Sequence, residues 1–188
     1  MDARIEKTKR KIKDALFTVL KKKAIADVTI SEICQKAKVN RNTFYAHYAT
    51  PEKVLEEIAE EYIAEEYKVL NACTTTKEIV IAACEYTKKY STEIIILLSN
   101  TPEELFIGKG ITYSIASPIY TIDNKGRELS PKQVEMVHTY IVNGAVAIIK
   151  AWLYSGMKET PEEIGETVDY ITTSLIKGIN RYPFDLFI

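Results

Sequence analysis

The sequence predicts an all-α protein in which a small three-helix domain precedes a larger helical one. Apolar residues recur at helical spacing through most of the 188 residues. Four prolines stand directly after Ser or Thr and directly before Glu or Lys, as at the first position of a helix. The segment 93–98 has the composition of a strand, but it lies within a helical context. No other stretch alternates convincingly, so we expect helices throughout.

Composition indicates a soluble globular protein, with 46% hydrophobic and 27% charged residues. The N-terminus lacks an apolar core of signal-peptide length, and uninterrupted apolar runs such as Ile94 to Leu98 are far shorter than the roughly 20 residues of a membrane helix. We therefore expect a cytoplasmic protein with no membrane partner. Three widely spaced cysteines favour neither a disulfide framework nor a zinc site, and the sequence indicates no metal or other cofactor.

Charge is distributed unevenly along the chain. Residues 1–50 contain twelve Lys or Arg and five Asp or Glu, net +7, and the other 138 residues carry thirteen against twenty-one, net −8. A basic region of this kind suits a polyanionic partner. A solvated helix face would give the same composition, so charge alone leaves both interpretations open.

The helices are delimited by cap signals and by apolar stripes. A Ser or Thr side chain can accept from a free N–H of the first turn, and Glu or Gln at the third helical position completes a capping box. The four predicted starts are Thr50-Pro51-Glu52, Thr101-Pro102-Glu103-Glu104, Ser130-Pro131-Lys132-Gln133 and Thr160-Pro161-Glu162-Glu163. Stripes begin at Ile12, Leu55, Val134 and Ile164, and Gly156 can end the third of these helices.

The segment "DVTISEICQKAKVNRNTFYAHY" divides into two short helices and a tight turn. Thr29-Ile30-Ser31-Glu32 is a capping-box start, the turn follows at Lys38, and Asn40 is a good N-cap for the second helix. Helices of about two turns joined so closely must cross steeply, which is typical of a helix-turn-helix unit. In such units the second helix enters the major groove of DNA.

The second helix has an inner face and an outer face. Phe44 and Tyr48 lie one turn apart and are expected to close a small core with Val39, Ile33 and Leu16. The residues left outside are Arg41, Asn42, Thr43, Tyr45 and His47. Their chemistry suits DNA: Arg pairs with guanine, Asn with adenine, a Thr methyl contacts thymine, and Tyr and His donate to phosphates.

These motifs closely resemble the DNA-binding domain of the TetR family of bacterial transcriptional regulators. The likeness covers roughly residues 8–58 and rests on "T..KI..A...L", "VTISEICQKAKVNRNTFYAHY" and "EKVLEEI". It implies DNA contacts from the residues Thr29, Ser31, Arg41, Asn42, Thr43, Tyr45 and His47. Two positions depart from the family: Lys38 replaces the usual Gly of the turn, and Pro51 replaces a Lys. We expect Lys38 to reach a phosphate, and Lys53 with the helix N-terminus to replace the lost lysine contact.

The resemblance implies domains at 1–49 and 50–188, the second binding an effector and forming a homodimer. The predicted dimer residues are Ile148, Val168, Ile171 and Leu175, although packing within one chain would produce the same stripes. The aromatic and histidine side chains that could line an effector pocket are Tyr86, Tyr90, Phe106, Tyr113, His138 and Trp152. Most such residues at helical spacing are simply core.

We therefore expect a dimeric repressor that a small-molecule effector releases from a palindromic DNA operator. The alternative is a regulator of the same fold whose C-terminal domain binds a protein partner and activates transcription. An enzyme is not expected, because the sequence shows no nucleophile motif, phosphate-binding glycine pattern or metal-ligand cluster.

Overall fold

The computed structural model describes residues 3–101 and 130–181, and within these ranges the chain forms helices and turns without strands. The all-α prediction is confirmed. The helix starting at Thr101-Pro102 lies outside the described residues, as do Phe106 and Tyr113. The described helices are α1 (Ala3–Leu20), α2 (Ile30–Ala37), α3 (Arg41–Tyr45), α4 (Pro51–Leu70), α5 (Thr76–Lys89), α6 (Ser91–Asn100), α7 (Pro131–Tyr154) and α8 (Pro161–Arg181), with a 3-10 turn at Ile25–Asp27.

The described residues fall into two compact units. The first unit contains residues 3–65 and 90–101, and the second contains residues 66–89 and 130–181. The predicted boundary between residues 49 and 50 lies at a helix start, whereas the chain divides within α4 and α6 returns to the first unit. A cap signal marks where a helix begins but not which helices pack around it.

The cap signals act as predicted. Thr29 and Glu32 form a capping box at α2, and Ser130 and Gln133 form another at α7. At α8 the backbone N–H of Glu163 donates to the Thr160 hydroxyl over 3.2 Å, while the Glu163 carboxylate accepts from the backbone N–H of Thr160 over 2.8 Å. These bonds satisfy N–H groups that a helix leaves unpaired at its start.

The first unit has a small apolar core where α1 packs against the two short helices. Ile12, Leu16, Ile33 and Phe44 are fully buried, and Val54 and Leu55 of α4 are also buried. Helix α6 is tied to this unit at both ends. The Asn100 side chain accepts from the backbone N–H of Ile25 over 2.8 Å, and the Tyr90 hydroxyl donates to Glu65 over 2.9 Å.

The second unit is built around close contact between α5, α7 and α8. Its core contains Val80, Cys84, Trp152, Ile164 and Val168. A Cβ added at Gly165 of α8 would lie 2.5 Å from Cγ1 of Ile81, so the absence of a side chain permits α5 to approach.

The turn after α7 uses left-handed backbone, as the predicted stop at Gly156 requires. Gly156 has φ 91° and Met157 has φ 53°. The indole N–H of Trp152 donates to the carbonyl of Glu159 over 3.0 Å and so fixes the turn to the core. The helix therefore ends at a defined place, ahead of the Thr160 cap of α8.

Helix α7 is long and apolar enough to cross a bilayer by length and composition alone. In the second unit, however, one side of it packs against α5 and α8 through Trp152 and Leu153. Another side is exposed and mostly apolar or small. Its residues, spaced by three or four, are Met136, Tyr140, Gly144, Ala147, Ala151 and Tyr154. We call this surface the α7 stripe.

Candidate nucleic-acid interface

The helix-turn-helix consists of α2, a left-handed turn at Lys38, and α3. Lys38 has φ 55° and ψ 46°, and its backbone N–H donates to the carbonyl of Cys34. The chain thus retains the conformation for which glycine is usual, at a cost on the order of 1 kcal/mol. Asn40 caps α3 as predicted, because its side-chain oxygen accepts from the backbone N–H of Thr43 over 2.7 Å.

Helix α3 is shorter than the two turns expected from the sequence. It ends at Tyr45, and His47 lies in the turn that follows. The backbone N–H groups of His47 and Tyr48 both donate to the carbonyl of Phe44, each over 2.9 Å. The backbone therefore forms a tight turn before α4 begins at Pro51. His47 lies in this turn, beyond the end of α3.

The inner and outer faces of α3 are divided as predicted. Phe44 and Tyr48 are buried with Ile33 and Leu16, whereas Val39 is only partly buried. On the outer face Arg41 and Asn42 are exposed, and Tyr45 retains 57% exposure. Thr43 and His47 are partly buried.

Thr29, the N-cap of α2, and Ser31, in its first turn, have different partners. The Thr29 hydroxyl already donates to the Glu32 carboxylate over 2.7 Å, so it is engaged in the cap. The Ser31 hydroxyl accepts a hydrogen bond from Nη2 of Arg41. The structure therefore brings Ser31 and Arg41 together across the turn, a pairing that the sequence reasoning did not foresee.

Lys53, the predicted replacement for the missing lysine at Pro51, is exposed and bonded within its own helix. Its Nζ lies 2.5 Å from Oε2 of Glu56. This hydrogen bond raises the pKa of Lys53. An exposed pair of this type contributes little to stability and can be exchanged for a phosphate.

Some of the positively charged side chains in residues 1–50 are paired with carboxylates of α4. Lys9 Nζ lies 3.0 Å from the Glu57 carboxylate, and Lys13 Nζ lies 2.6 Å from both Glu57 and Glu61. Each helix presents its pair four residues apart, so α1 and α4 run side by side. The matching four-residue spacing of lysines and glutamates was a signal in the sequence that our reasoning missed.

The ionic contacts between α1 and α4 perturb the groups that form them. Burial opposes the charged form of Glu57, but hydrogen bonds from Lys13 and Lys9 outweigh it and hold the pKa of Glu57 below its usual value. Burial and the neighbouring Glu57 raise the pKa of Tyr48. These groups serve the packing of the unit, so they are poor candidates for contact with a ligand.

The predicted effector residues are dispersed among several environments. Tyr86 and His138 are buried in the second unit, Trp152 lies in its core, and Tyr90 belongs to the first unit, where its ring meets Tyr62 edge-on at 5.4 Å. A groove of 560 Å³ in the second unit is lined by other residues, namely Glu85, Lys88, Lys89, Thr160, Pro161 and Glu162. The assignment of an effector pocket stays a prediction.

The predicted dimer residues also have mixed positions. Val168 lies in the core of its own chain and Ile148 packs against that core, while Leu175 is partly buried and Ile171 is 47% exposed. Among the described residues of α7 and α8, the largest exposed apolar side chains are instead Tyr140, Met136, Tyr154 and Tyr170. Periodicity identified the helices but not which apolar face stays open.

Both parts of the chain match models of known protein families. Residues 12–58 match the family described as "Bacterial regulatory proteins, tetR family", and residues 74–174 match a TetR "Transcriptional regulator C-terminal region". The chain belongs to the TetR family. The predicted resemblance is therefore confirmed, and the helix-turn-helix described above is the DNA-binding element of a TetR-family transcriptional regulator.

One related sequence and two solved structures give the extent of the likeness. The chain is 30% identical over 110 residues to the uncharacterized HTH-type transcriptional regulator YxbF of Bacillus subtilis (strain 168), which is 58% of this chain but only 28% of that protein. A TetR regulator from Streptococcus agalactiae 2603V has a TM-score of 0.70 at 21% identity, covering 91% of this chain and 96% of the other. The dihydroxyacetone kinase operon activator DhaS has a TM-score of 0.60 at 18% identity, covering 90% and 96%. At these identities the structures support the fold alone.

Proposed function

We propose that this TetR-family regulator is a cytoplasmic homodimer that represses transcription from a palindromic operator and is released by a small-molecule effector. The observation that carries the DNA-reading part is the outer face of α3. Arg41, Asn42 and Tyr45 are exposed together on a capped helix, in a region with net charge +7. This combines donors for base edges with charge for phosphates.

The reading surface is tested by selection of bound DNA from a random pool. A dimer with two equivalent recognition helices should enrich an inverted repeat. Enrichment of no sequence would contradict the assignment of α3 as a reader of bases.

Substitutions then assign the residues within that surface. Arg41→Ala and Tyr45→Ala should each weaken binding to the selected DNA by roughly 5- to 100-fold in a gel-shift titration, because each removes a base or phosphate contact. Gln35→Ala, at an exposed position on α2 outside the proposed contact set, is the matched control. Unchanged affinity in both α3 variants, with circular dichroism spectra like that of the parent, would remove these two residues from the reading set.

Dimerisation is supported by the α7 stripe. Tyr140 is 67% exposed and Tyr154 is 53% exposed, and between them lie only the small residues Gly144, Ala147 and Ala151. Small residues flanked by aromatic rings allow the backbones of two helices to approach closely. An apolar surface along a 24-residue helix is also unfavourable in water, which a second copy of the chain would relieve.

The dimer proposal is tested at the centre of the stripe. Ala147→Glu would place a charge in the contact between two copies, and the variant should sediment as a monomer at concentrations where the parent is a dimer. Ala72→Glu makes the same change at an exposed turn after α4 and should leave the assembly unchanged. A dimeric Ala147→Glu protein would exclude this stripe as the interface.

Release by an effector requires that the effector bind the DNA-free state more tightly than the DNA-bound state. The second unit supports this proposal by its aromatic and histidine content, including the buried Tyr86 and His138. A screen of small molecules by thermal shift, followed by gel shift with each hit, tests it. An effector should raise the melting temperature and lower operator affinity together.

An activator that binds a protein partner is the second candidate. It is favoured by the dispersal of the predicted pocket residues, and by the fact that DhaS, a protein of similar fold, is an operon activator by its name. If the α7 stripe takes a partner protein, Ala147→Glu should abolish activation in a reporter strain while the protein stays dimeric and still binds DNA.

A further inference from the structure

The bond between Ser31 and Arg41 joins the two helices of the reading element through their side chains. Nη2 of Arg41, at the first position of α3, donates to Oγ of Ser31, at the second position of α2. Both residues are exposed. The bond therefore lies at the surface of the first unit and is not part of its core.

Both ends of this bond are attached to well-defined backbone. Ser31 sits inside the capping box of α2, whose Glu32 is also paired with Lys23 over 2.7 Å. Arg41 follows the Asn40 cap, and the next turn of its helix is anchored by the fully buried Phe44. The bond thus restrains the direction of the long arginine side chain between two anchored segments of backbone.

The chemical nature of the partner is informative. Lys9, Lys13, Lys23 and Lys53 of the first unit all pair with carboxylates. Within residues 3–101 and 130–181, Arg41 forms no ion pair and is held by a neutral hydroxyl. A carboxylate partner would neutralise the positive charge and compete with DNA for it. A hydroxyl partner orients the guanidinium without neutralising its charge.

The donors that remain are sufficient for reading a base. Arginine has five N–H donors, and one bond to Ser31 leaves four, which include a pair for the O6 and N7 acceptors of guanine. Holding the side chain before DNA arrives also reduces the rotamer entropy lost on binding. The same oxygen of Ser31 keeps its own hydrogen free to donate to another group.

We propose that Ser31 is a positioning residue that orients Arg41 toward a base edge, so that Ser31 determines sequence specificity through Arg41. This inference rests on the proposed function of α3 as the reader of the operator. It differs from a direct phosphate contact by Ser31, which would strengthen binding to every DNA sequence equally.

The test compares base preference and general affinity in the full-length protein. Each operator position is varied in turn, and dissociation constants are measured for the parent, Arg41→Ala, Ser31→Ala, Ser31→Thr and the double variant. Arg41→Ala should lose discrimination at one base pair of each half-site. Ser31→Ala should reduce discrimination at that same base pair by roughly threefold or more and change affinity for unrelated DNA less than about twofold.

The control and the double variant separate the possible roles. Ser31→Thr keeps the hydroxyl and should keep the preference, and Ser31→Ala should add nothing in the Arg41→Ala background. A uniform loss of affinity from Ser31→Ala that persists in that background would overturn positioning and assign a phosphate contact. If Arg41→Ala leaves every constant unchanged, the reading role of Arg41 itself fails, and that result is visible without the Ser31 variants.

Discussion

The two units of this regulator are stabilised by different interactions. In the first unit, α1 and α4 are joined by Lys9 and Lys13, which contact Glu57 and Glu61 at 2.6 to 3.0 Å. In the second unit, α5 and α8 meet at a glycine around an apolar core, and the described ion pair between Lys77 and Glu166, 2.8 Å apart, is exposed.

This difference follows from what each unit has to present. A reading element needs positive charge at its surface, and excess charge of one sign destabilises a small fold by self-repulsion. Carboxylates from α4 neutralise the lysines that serve packing, whereas Arg41, the proposed base reader, forms no ion pair within residues 3–101 and 130–181. The second unit does not have to present positive charge, and its helices are held together mainly by close packing of apolar side chains. Substitutions should therefore act through packing in the second unit and through charge and backbone conformation in the first.

The largest effect is expected at Gly165. Gly165→Ala would place its Cβ 2.5 Å from Cγ1 of Ile81 and 3.3 Å from the carbonyl of Lys77, and overpacking of this kind costs about 1–3 kcal/mol. The single tryptophan, Trp152, lies in the same core, so its fluorescence during denaturant unfolding reports this unit directly. A Cβ added at Gly178 would have no atom within 4 Å. Gly178→Ala should therefore stabilise α8 by up to about 1 kcal/mol, because alanine has the higher helix propensity. Equal stability of the two variants would contradict the close approach of α5 and α8.

A second effect in the same unit concerns a carboxyl group. Burial raises the pKa of Glu66 to about 7 from its ordinary value of 4.5. The ionised form is disfavoured in the folded state, so this group lowers stability progressively as pH rises from about 4.5 to about 7. Because part of the Glu66 side chain is still accessible to solvent, Glu66→Gln should raise the free energy of unfolding by no more than about 1–2 kcal/mol at pH 8. Near pH 4 the substitution should leave the free energy of unfolding unchanged. The Trp152 fluorescence transition at both pH values measures this, with Glu85→Gln as the exposed control, and a gain independent of pH would refute it.

In the first unit, the backbone at Lys38 should show the next effect. Lys38→Gly removes the steric cost of φ 55° and should stabilise the protein by up to about 1 kcal/mol in chemical unfolding followed by circular dichroism. Lys38→Asn, which also tolerates left-handed backbone, should give a smaller gain. If Lys38 also contacts a phosphate, both variants should bind DNA more weakly and with a shallower salt dependence. A loss of stability in both would show that the turn is not strained.

The smallest effect is expected from an exposed carboxylate of the first unit. Hydrogen bonds from Lys23 and Thr29 lower the pKa of Glu32 to about 2 from 4.5. Its contribution to stability is thus complete above pH 4.5 and lost as pH falls toward about 2. Glu32→Gln keeps the capping box but removes the charge, so its acid unfolding profile between these values should be flatter than that of the parent. Identical profiles would show that the Lys23 pair adds nothing.

Much of this architecture was readable from local sequence. The starts at Thr29, Asn40, Thr50, Ser130 and Thr160 were predicted because a cap uses residues within one turn of each other. The division of α3 into buried Phe44 and exposed Arg41 and Tyr45 followed from helical period alone. Tyr48, predicted to lie on the same buried face, is buried just beyond the end of the helix. Family membership was readable for the same reason, since the helix-turn-helix motif is continuous in the chain.

The tertiary structure decided which partners distant residues find. The sequence alone determined that this is a helical protein with a basic helix-turn-helix, and it placed Arg41, Asn42 and Tyr45 on the exposed face of α3. Only folding showed that Ser31 holds Arg41, that Glu57 and Glu61 neutralise Lys9 and Lys13, and that Val168 is core while the α7 stripe stays exposed. The physical reason is that a helical period fixes the direction of a side chain, whereas its contacts depend on which other helix packs against that face.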